Sequence, residues 1–381
     1  MLIYTGIKLV IGGNKIYSHC KTTNLKALHL GNSLYSLINF GIMRICRWFL
    51  YLGLISPTLY SQTVQELTEA GIAAHDAGDY GEAIANYHKA LKKSPENNLL
   101  YYELAFSYSA YKEYDKSIYY ADKILRTNND QNLGAYLVKG AVLDNMGETK
   151  KSIKLFKKAI KQFPDEYLLH YNLGLDYYRL NDFKKAEKHL TLSLQHNFDH
   201  ASSHLLMAYT QDAQNKPKPF SLLPLYYFLI LEPDGSRADQ AYTAIQKIYT
   251  RDITITSKED GIPKTVNISI NPKKRDGGSA LMLALLQASQ TTEENKDKPE
   301  IELFKDKTTR FFSSLTSSNF KKDELYTAYY LPFFKALSKT SYMEVYCNLI
   351  SMTGIEGTSN WLNFHLREQE ALYNWKEQNK P

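Results

Sequence analysis

The sequence predicts an all-α protein: a solenoid of stacked helical hairpins over residues 62–250, then a mainly helical C-terminal domain over 251–381 with one short β-hairpin. Three observations lead there. Small and aromatic residues recur with a period of about 34 through the first half, and each period holds two stretches with apolar residues at helical spacing. The second half returns aromatic residues to one helical phase. At 381 residues the chain has room for two or three structural units, and 44% apolar with 23% charged residues is ordinary for a globular protein. Tyrosine is unusually frequent, at 30 residues, so aromatic packing or aromatic contact needs explaining.

The period is visible residue by residue. Ala83, Ser117, Ser152 and Ala186 stand 34, 35 and 34 apart, and Tyr87, Ala121, Phe156 and Leu190 follow four residues behind each. Gly71, Ala105, Gly140, Gly174 and Ala208 repeat a small residue in the same phase. Turn-like triplets recur at Gly78-Asp79-Tyr80, Lys112-Glu113-Tyr114, Gly147-Glu148-Thr149 and Asn181-Asp182-Phe183. Each unit therefore reads as two helices joined by a turn. Two such helices cannot hide their own apolar faces, and stacking on neighbours does it for them. Gly174 and Ala186 mark where paired helices approach closely.

Leu173-Gly174 with Tyr177, and Ala83, Tyr87, Ala90 and Pro95, are the residues on which the chain resembles the tetratricopeptide repeat (TPR) family. The resemblance covers residues 64 to 233, five units. It departs at Asn129 and Phe198, where a closing proline would sit, and in a divergent fifth unit whose Pro217, Pro219 and Pro224 argue against a regular start to its second helix. A looser resemblance is to exported TPR proteins of Gram-negative envelopes.

The TPR resemblance implies that the first helix of each hairpin lines a concave groove for an extended or helical peptide. Carried over by phase, the lining is Thr68, Ile72 and His75, then Tyr102, Phe106 and Ser109, then Leu137, Ala141 and Asp144. Tyr171, Leu175 and Tyr178 continue it, followed by Leu205, Tyr209 and Asp212. These positions do not supply the lysine and asparagine clamp with which a chaperone-binding subfamily holds a terminal carboxylate, so an acidic C-terminal tail is a poor ligand. Two occupants compete for the groove. One is an apolar segment of a partner, for which tyrosine offers contact area at little rotamer cost; the other is the chain's own later helices.

Charge is concentrated at the start. The 46 Lys and Arg exceed the 40 Asp and Glu by six, and residues 1–61 hold six basic and no acidic residues, so the remaining 320 are balanced. Arg44 and Arg47 precede an uncharged run from Trp48 to Leu59, and Ser61 is a small residue at a cleavage position. Together they predict a secretory leader over 43–61, with Met43 as an alternative start. Cleavage there makes the protein exported and periplasmic, an uncleaved leader an inner-membrane anchor. Direct membrane binding after cleavage and nucleic-acid binding are not expected of a balanced chain. Of Cys20, Cys46 and Cys347 only the last follows the leader, and a buried thiol is its expected role.

In the second half, Arg237 to Tyr249 reads as a helix capping the array. Ile253 and Ile255, then Val266, Ile268 and Ile270, alternate with polar residues around Asp260-Gly261, as in a hairpin. Helices are expected over Ala280–Gln290, around Phe304, Phe311 and Phe312, over Tyr326–Leu337, over Met343–Ser351 and over Trp361–Trp375, with a charged linker at 291–299.

A phosphate loop, His-Glu-x-x-His, zinc-spaced cysteines and GxSxG are absent from the sequence. Ser318 and Lys321 have Ser-x-x-Lys spacing without companion motifs. His196, Asp199, His200 and His204 invite a metal reading, but the inter-repeat turn at 197–199 separates them, so polar, turn-facing histidines are expected. The expectation is a non-catalytic scaffold without cofactor or metal that binds a protein or peptide. Its rival is an enzyme or carbohydrate-handling module in 252–381, with the repeats as docking platform.

Overall fold

The computed structural model describes residues 62–127, 132–251, 253–255, 258–259, 262–263, 266–269, 277–290, 292–320 and 323–380. The expected leader over 43–61, Asp260-Gly261, Ile270, Lys321 and the basic run Lys273-Lys274-Arg275 lie outside them. Residues 62–381 form one compact unit.

Eleven helices build the first part: α1 Val64–Asp76, α2 Tyr80–Lys93, α3 Asn98–Ala110, α4 Tyr114–Leu125, α5 Asn132–Asn145, α6 Thr149–Ile160, α7 Tyr167–Arg179, α8 Phe183–His196, α9 Ala201–Ala213, α10 Lys218–Leu231 and α11 Ser236–Thr250. A capping box opens α1: the Glu66 N–H donates to Thr63 Oγ1 at 3.1 Å, and the Thr63 N–H to Glu66 Oε2 at 2.8 Å. The first helix of every hairpin ends in a left-handed residue, at Gly78, Lys112, Gly147, Asn181 and Asn215. These positions are 34, 35, 34 and 34 apart, so the sequence period is also a backbone period. At each, the next N–H reaches back to close the turn, as Asp79 to the Ala74 carbonyl (2.9 Å) and Glu148 to Leu143 (2.8 Å).

Consecutive helices pack as antiparallel neighbours, and the odd-numbered helices α1, α3, α5, α7 and α9 also touch their next odd-numbered neighbour. The even-numbered layer is more widely spaced. The odd layer therefore lies inside the curve and the even layer outside. Ala83, Tyr87, Ala121, Phe156, Ala186 and Leu190, the residues that carry the period, are all buried between the layers.

The prolines of the fifth unit do not disturb α10. Pro217 stands at the N-cap and Pro219 in the first turn, where an N–H would have no helical partner anyway. Every residue from Lys218 to Ile230 is buried, and a helix apolar all round is one covered on all sides. Pro224, inside the helix, denies the Phe220 carbonyl its usual donor; the hydroxyl of Tyr326 supplies one at 2.6 Å.

The second part covers α10. A hairpin follows α11: β1 Ile253–Ile255 pairs antiparallel with β4 Val266–Ile268, Ile253 opposite Ile268, and β2 Lys258–Glu259 pairs with β3 Ile262–Pro263 inside it. Then come α12 Gly277–Ser289, α13 Glu300–Ser314, a π-helical turn at Tyr326–Tyr330 leading into α14 Leu331–Leu337, α15 Met343–Ile350, α16 Thr358–Asn363 and α17 Leu366–Gln378. The expected linker holds a 3-10 turn at Glu293–Asn295. The helix expected over Trp361–Trp375 is two: His365 Nδ1 bonds the Trp361 carbonyl at 2.7 Å and its ring stacks on Trp361, a local alternative to continuing the ladder. The segments read as separate on either side of residue 250 share one apolar core, which runs from Tyr171 through α9, α10 and α11 to Leu372. Cys347 lies within it, fully buried, and burial pushes its thiol pKa up.

Candidate functional site: the concave face

The predicted lining residues lie on the odd-numbered helices. At the N-terminal end they form an aromatic ladder: His75 stacks on Phe106 with ring centroids 4.6 Å apart, and Phe106 lies parallel to Tyr102 at 6.2 Å. His75 Nδ1 is 2.7 Å from Ser107 Oγ, which orients the imidazole, and burial lowers its pKa. Tyr102 is half-buried, its ring seated over Gly134, where a Cβ would stand 2.7 Å from Cε2. The Tyr102 hydroxyl is pushed up to about 12, first by burial and then by Glu103. Ile72 stays 41% exposed beside this ladder.

Further along, the positions differ in accessibility. Leu137 and Tyr171 are buried, so they support the face rather than present themselves on it; the Tyr171 ring meets His200 edge-on at 4.8 Å. Leu175, Tyr178 and Tyr209 are half-buried and rest on the large C-terminal core. The carboxylates in this phase are engaged: Asp144 with Arg179 and the Thr149 hydroxyl (2.8 Å), Asp212 with Arg251 (2.7 Å). Beside the first pair, Asp176 is buried and pushed up to about 8, by loss of water and then by the Asp144 charge.

The histidines of the metal reading do not converge. His196 ends α8, 4.0 Å from Asp165. His200 caps α9 and bonds Ser203 Oγ at 2.8 Å. His204 is not turn-facing as expected: it is fully buried, Nε2 donating to the Phe198 carbonyl and Nδ1 accepting from the Tyr330 hydroxyl. Asp199 accepts from Tyr227 and pairs with Lys376 of α17 and with Lys380 just past its end. Among the described residues, no cluster of three or more His, Cys, Asp or Glu is placed to hold a metal ion. Asp199 and His204 instead join the repeats to the C-terminal helices, while His196 and His200 keep their contacts within the repeats. Nothing local in the sequence marks this joint, because partners such as Tyr330 and Lys376 lie more than a hundred residues away.

Two layers of antiparallel helices that advance by 34 residues define a helical-repeat solenoid. The chain carries tetratricopeptide repeats: the models of this repeat match residues 74–139 and 137–197. A TPR repeat-containing protein of Methanocaldococcus jannaschii is 27% identical over 108 residues, 28% of this chain and 19% of that protein. A BBSome complex member of Bos taurus is 26% identical over 156 residues, 41% of this chain and 29% of that one. The chain thus spans less than a third of either relative. Among solved structures, a thermophilic TPR protein of Thermus thermophilus superposes with a TM-score of 0.43 at 20% identity, covering 48% of this chain and all of that one. The type IV pilus biogenesis factor PilW does so at 0.42 and 19%, covering 49% and 91%.

Proposed function

We propose that the concave face grips an apolar polypeptide segment, that the protein does so without catalysis, and that it works in the cell envelope after export. The observation that carries the first part is the His75–Phe106–Tyr102 ladder with the exposed Ile72 beside it. This is a preformed aromatic surface whose rings are already fixed by stacking, so little rotamer freedom is lost on contact. The chain's own later helices pack on α10, α11 and the start of α9, away from the ladder on α1 and α3, which favours an external occupant. Against the enzyme reading, a shallow depression of about 410 Å³ in the C-terminal part is lined by Leu281, Met282, Leu285, Leu286, Ser289 and Arg310. One titratable group among six lining residues is poor material for acid–base chemistry.

A photo-crosslinking residue placed at Ile72 is expected to capture the same polypeptide as one placed at Tyr209, while one at the exposed Tyr119 of α4 captures none. Equal capture from Tyr119 would reject the groove. Replacing Tyr102 and Phe106 with Ala should abolish the Ile72 crosslink with helicity intact. For export, N-terminal sequencing of the native protein is expected to begin at Gln62; a start at Met1 or Met43 would defeat that part alone.

A further inference from the structure

The outer layer carries a charge asymmetry that the balanced total conceals. Helix α6 holds Lys150, Lys151, Lys154, Lys157 and Lys158, with Lys161 just past its end, and has no acidic residue between 149 and 160. All six lysines are exposed, while Ser152, Phe156 and Ala159 bury the opposite face. The neighbouring outer helix α8 adds the exposed Lys184, Lys185 and Lys188. Tyr177 ties the two sets together: Lys157 Nζ stands 5.6 Å and Lys185 Nζ 5.3 Å from the centre of its ring. Lys157 and Lys188 both press on His189, helping to depress its pKa. Only Lys151, with Glu148, and Lys185, with Asp182, pair with a carboxylate of the described residues.

A merely solvated face would not be built this way. Lys150 with Lys154, Lys154 with Lys158, and Lys157 with Lys161 set like charges four residues apart, each pair weakening the helix. Lys150 and Lys151 also occupy the first turn, where the helix dipole disfavours cations. Elsewhere in the outer layer signs are mixed: α4 pairs Lys116 with Glu113 and carries Asp115 and Asp122. Lys157 and Lys158 in the last turn suit the dipole, but the like-charge pairs and the first-turn lysines gain nothing from the helix itself.

We propose that the lysine face of α6 and α8 is an electrostatic docking surface for an anionic lipid bilayer. The face is convex and spread over two helices, which suits an extended charged plane and encloses nothing. Its bases are lysines, hydrated point charges on flexible stems, rather than the planar arginine forks that read individual phosphates. Six lysines on an amphipathic helix fall within the range at which such clusters hold anionic leaflets. The expectation of no membrane contact rests on net charge, a sum that does not register the segregation of charge on one face. Bilayer docking on the outer layer would leave the inner layer open, and it does not rest on the groove reading.

The test is vesicle co-sedimentation of residues 62–381, the compact unit with its own cores. The unit is expected to sediment with vesicles of phosphatidylglycerol in phosphatidylcholine and not with phosphatidylcholine alone, and to be released by high salt. Replacing Lys150, Lys154, Lys157 and Lys158 together with Gln should weaken binding by about a hundredfold or more, since each of the four lysines near the surface contributes roughly a factor of five. The same change at the exposed Lys89, Lys92, Lys247 and Lys339 should leave it nearly unaltered, with circular dichroism confirming that both variants fold. Failure to sediment, equal loss in the two variants, or displacement from vesicles by duplex DNA at lower concentration than by free lipid would overturn the proposal.

Discussion

The hydroxyl of Tyr326 donates to the carbonyl oxygen of Phe220 at 2.6 Å, and Phe220 is the residue whose helical donor would be the N–H that Pro224 lacks. A defect written into one helix is thus repaired by a side chain 106 residues away. Tyr326→Phe should destabilise the protein by about 1–3 kcal/mol, the cost of a bare buried carbonyl. In a Pro224→Ala background the backbone N–H regained at that position can serve Phe220, and the same substitution should cost less. Denaturant unfolding of the four-variant cycle measures the coupling, and strict additivity would contradict the repair.

The ring of Phe156 lies against Gly140 so closely that a Cβ there would sit inside its van der Waals envelope, whereas at Gly174 a Cβ would meet Leu190 at an adjustable 3.0 Å. Alanine favours a helix over glycine by about 1 kcal/mol. At Gly140 overpacking should exceed that gain and leave a net loss of about 1–2 kcal/mol. Gly174→Ala should come out near neutral. Thermal unfolding that ranks the two variants the other way would refute the packing argument.

Lys112 occupies with φ of 65° the position filled by Gly78, Gly147, Asn181 and Asn215 in the other hairpins. A left-handed conformation costs an ordinary L-residue roughly 1–2 kcal/mol, and glycine regains part of that. Lys112→Gly is therefore expected to raise stability by about 0.5–1 kcal/mol, and Gly147→Lys to lower it. A melting temperature that falls on Lys112→Gly would show that the lysine side chain outweighs its backbone strain.

Acid should unfold the protein earlier than its carboxylates alone require. Burial lowers His200 to about 4 and His204 to about 3, and His189, partly exposed, to about 4. Because the unfolded chain binds these protons first, the stabilising contribution is complete above about pH 6.5 and is lost as pH falls toward the folded values. For His204 alone the loss is roughly 3–5 kcal/mol. Asp176 has the opposite sign: raised to about 8, it favours the folded state most in acid, and its contribution drains away as pH climbs from about 4 through 8. His204→Gln should flatten the stability profile between about pH 6.5 and 4. Asp176→Asn should stabilise at about pH 9 and lose that advantage in acid. Parallel profiles for wild type and variant would exclude either group as the source.

The repeats were legible because one physical constraint, burial between two layers, acts on every thirty-fourth residue, so Ala83, Tyr87 and Gly174 repeat as a pattern. The C-terminal helices were legible as helices but not as partners of α10, since long-range packing leaves no local period. One clue to that packing does stand in the sequence: Phe220 to Leu231 is apolar around its whole circumference, which marks a covered helix more strongly than its prolines mark a broken one. Groove positions transferred by phase fall on the odd-numbered helices, but phase does not distinguish the exposed Ile72 from the buried Leu137 and Tyr171. Net charge is similarly blind to position, because a sum over 320 residues says nothing about where the lysines of α6 stand.

Burial of α10 on all sides has a consequence for how this array can change. In an open solenoid any unit is interchangeable with its neighbour, and repeats are gained or lost by duplication without harm. Here the fifth unit is fastened to a partner of fixed shape, so growth and shrinkage are confined to the opposite end, at α1 and α2. Lineages or designed variants that differ in repeat number should differ there, while the stretch from α9 onward is inherited as one indivisible block.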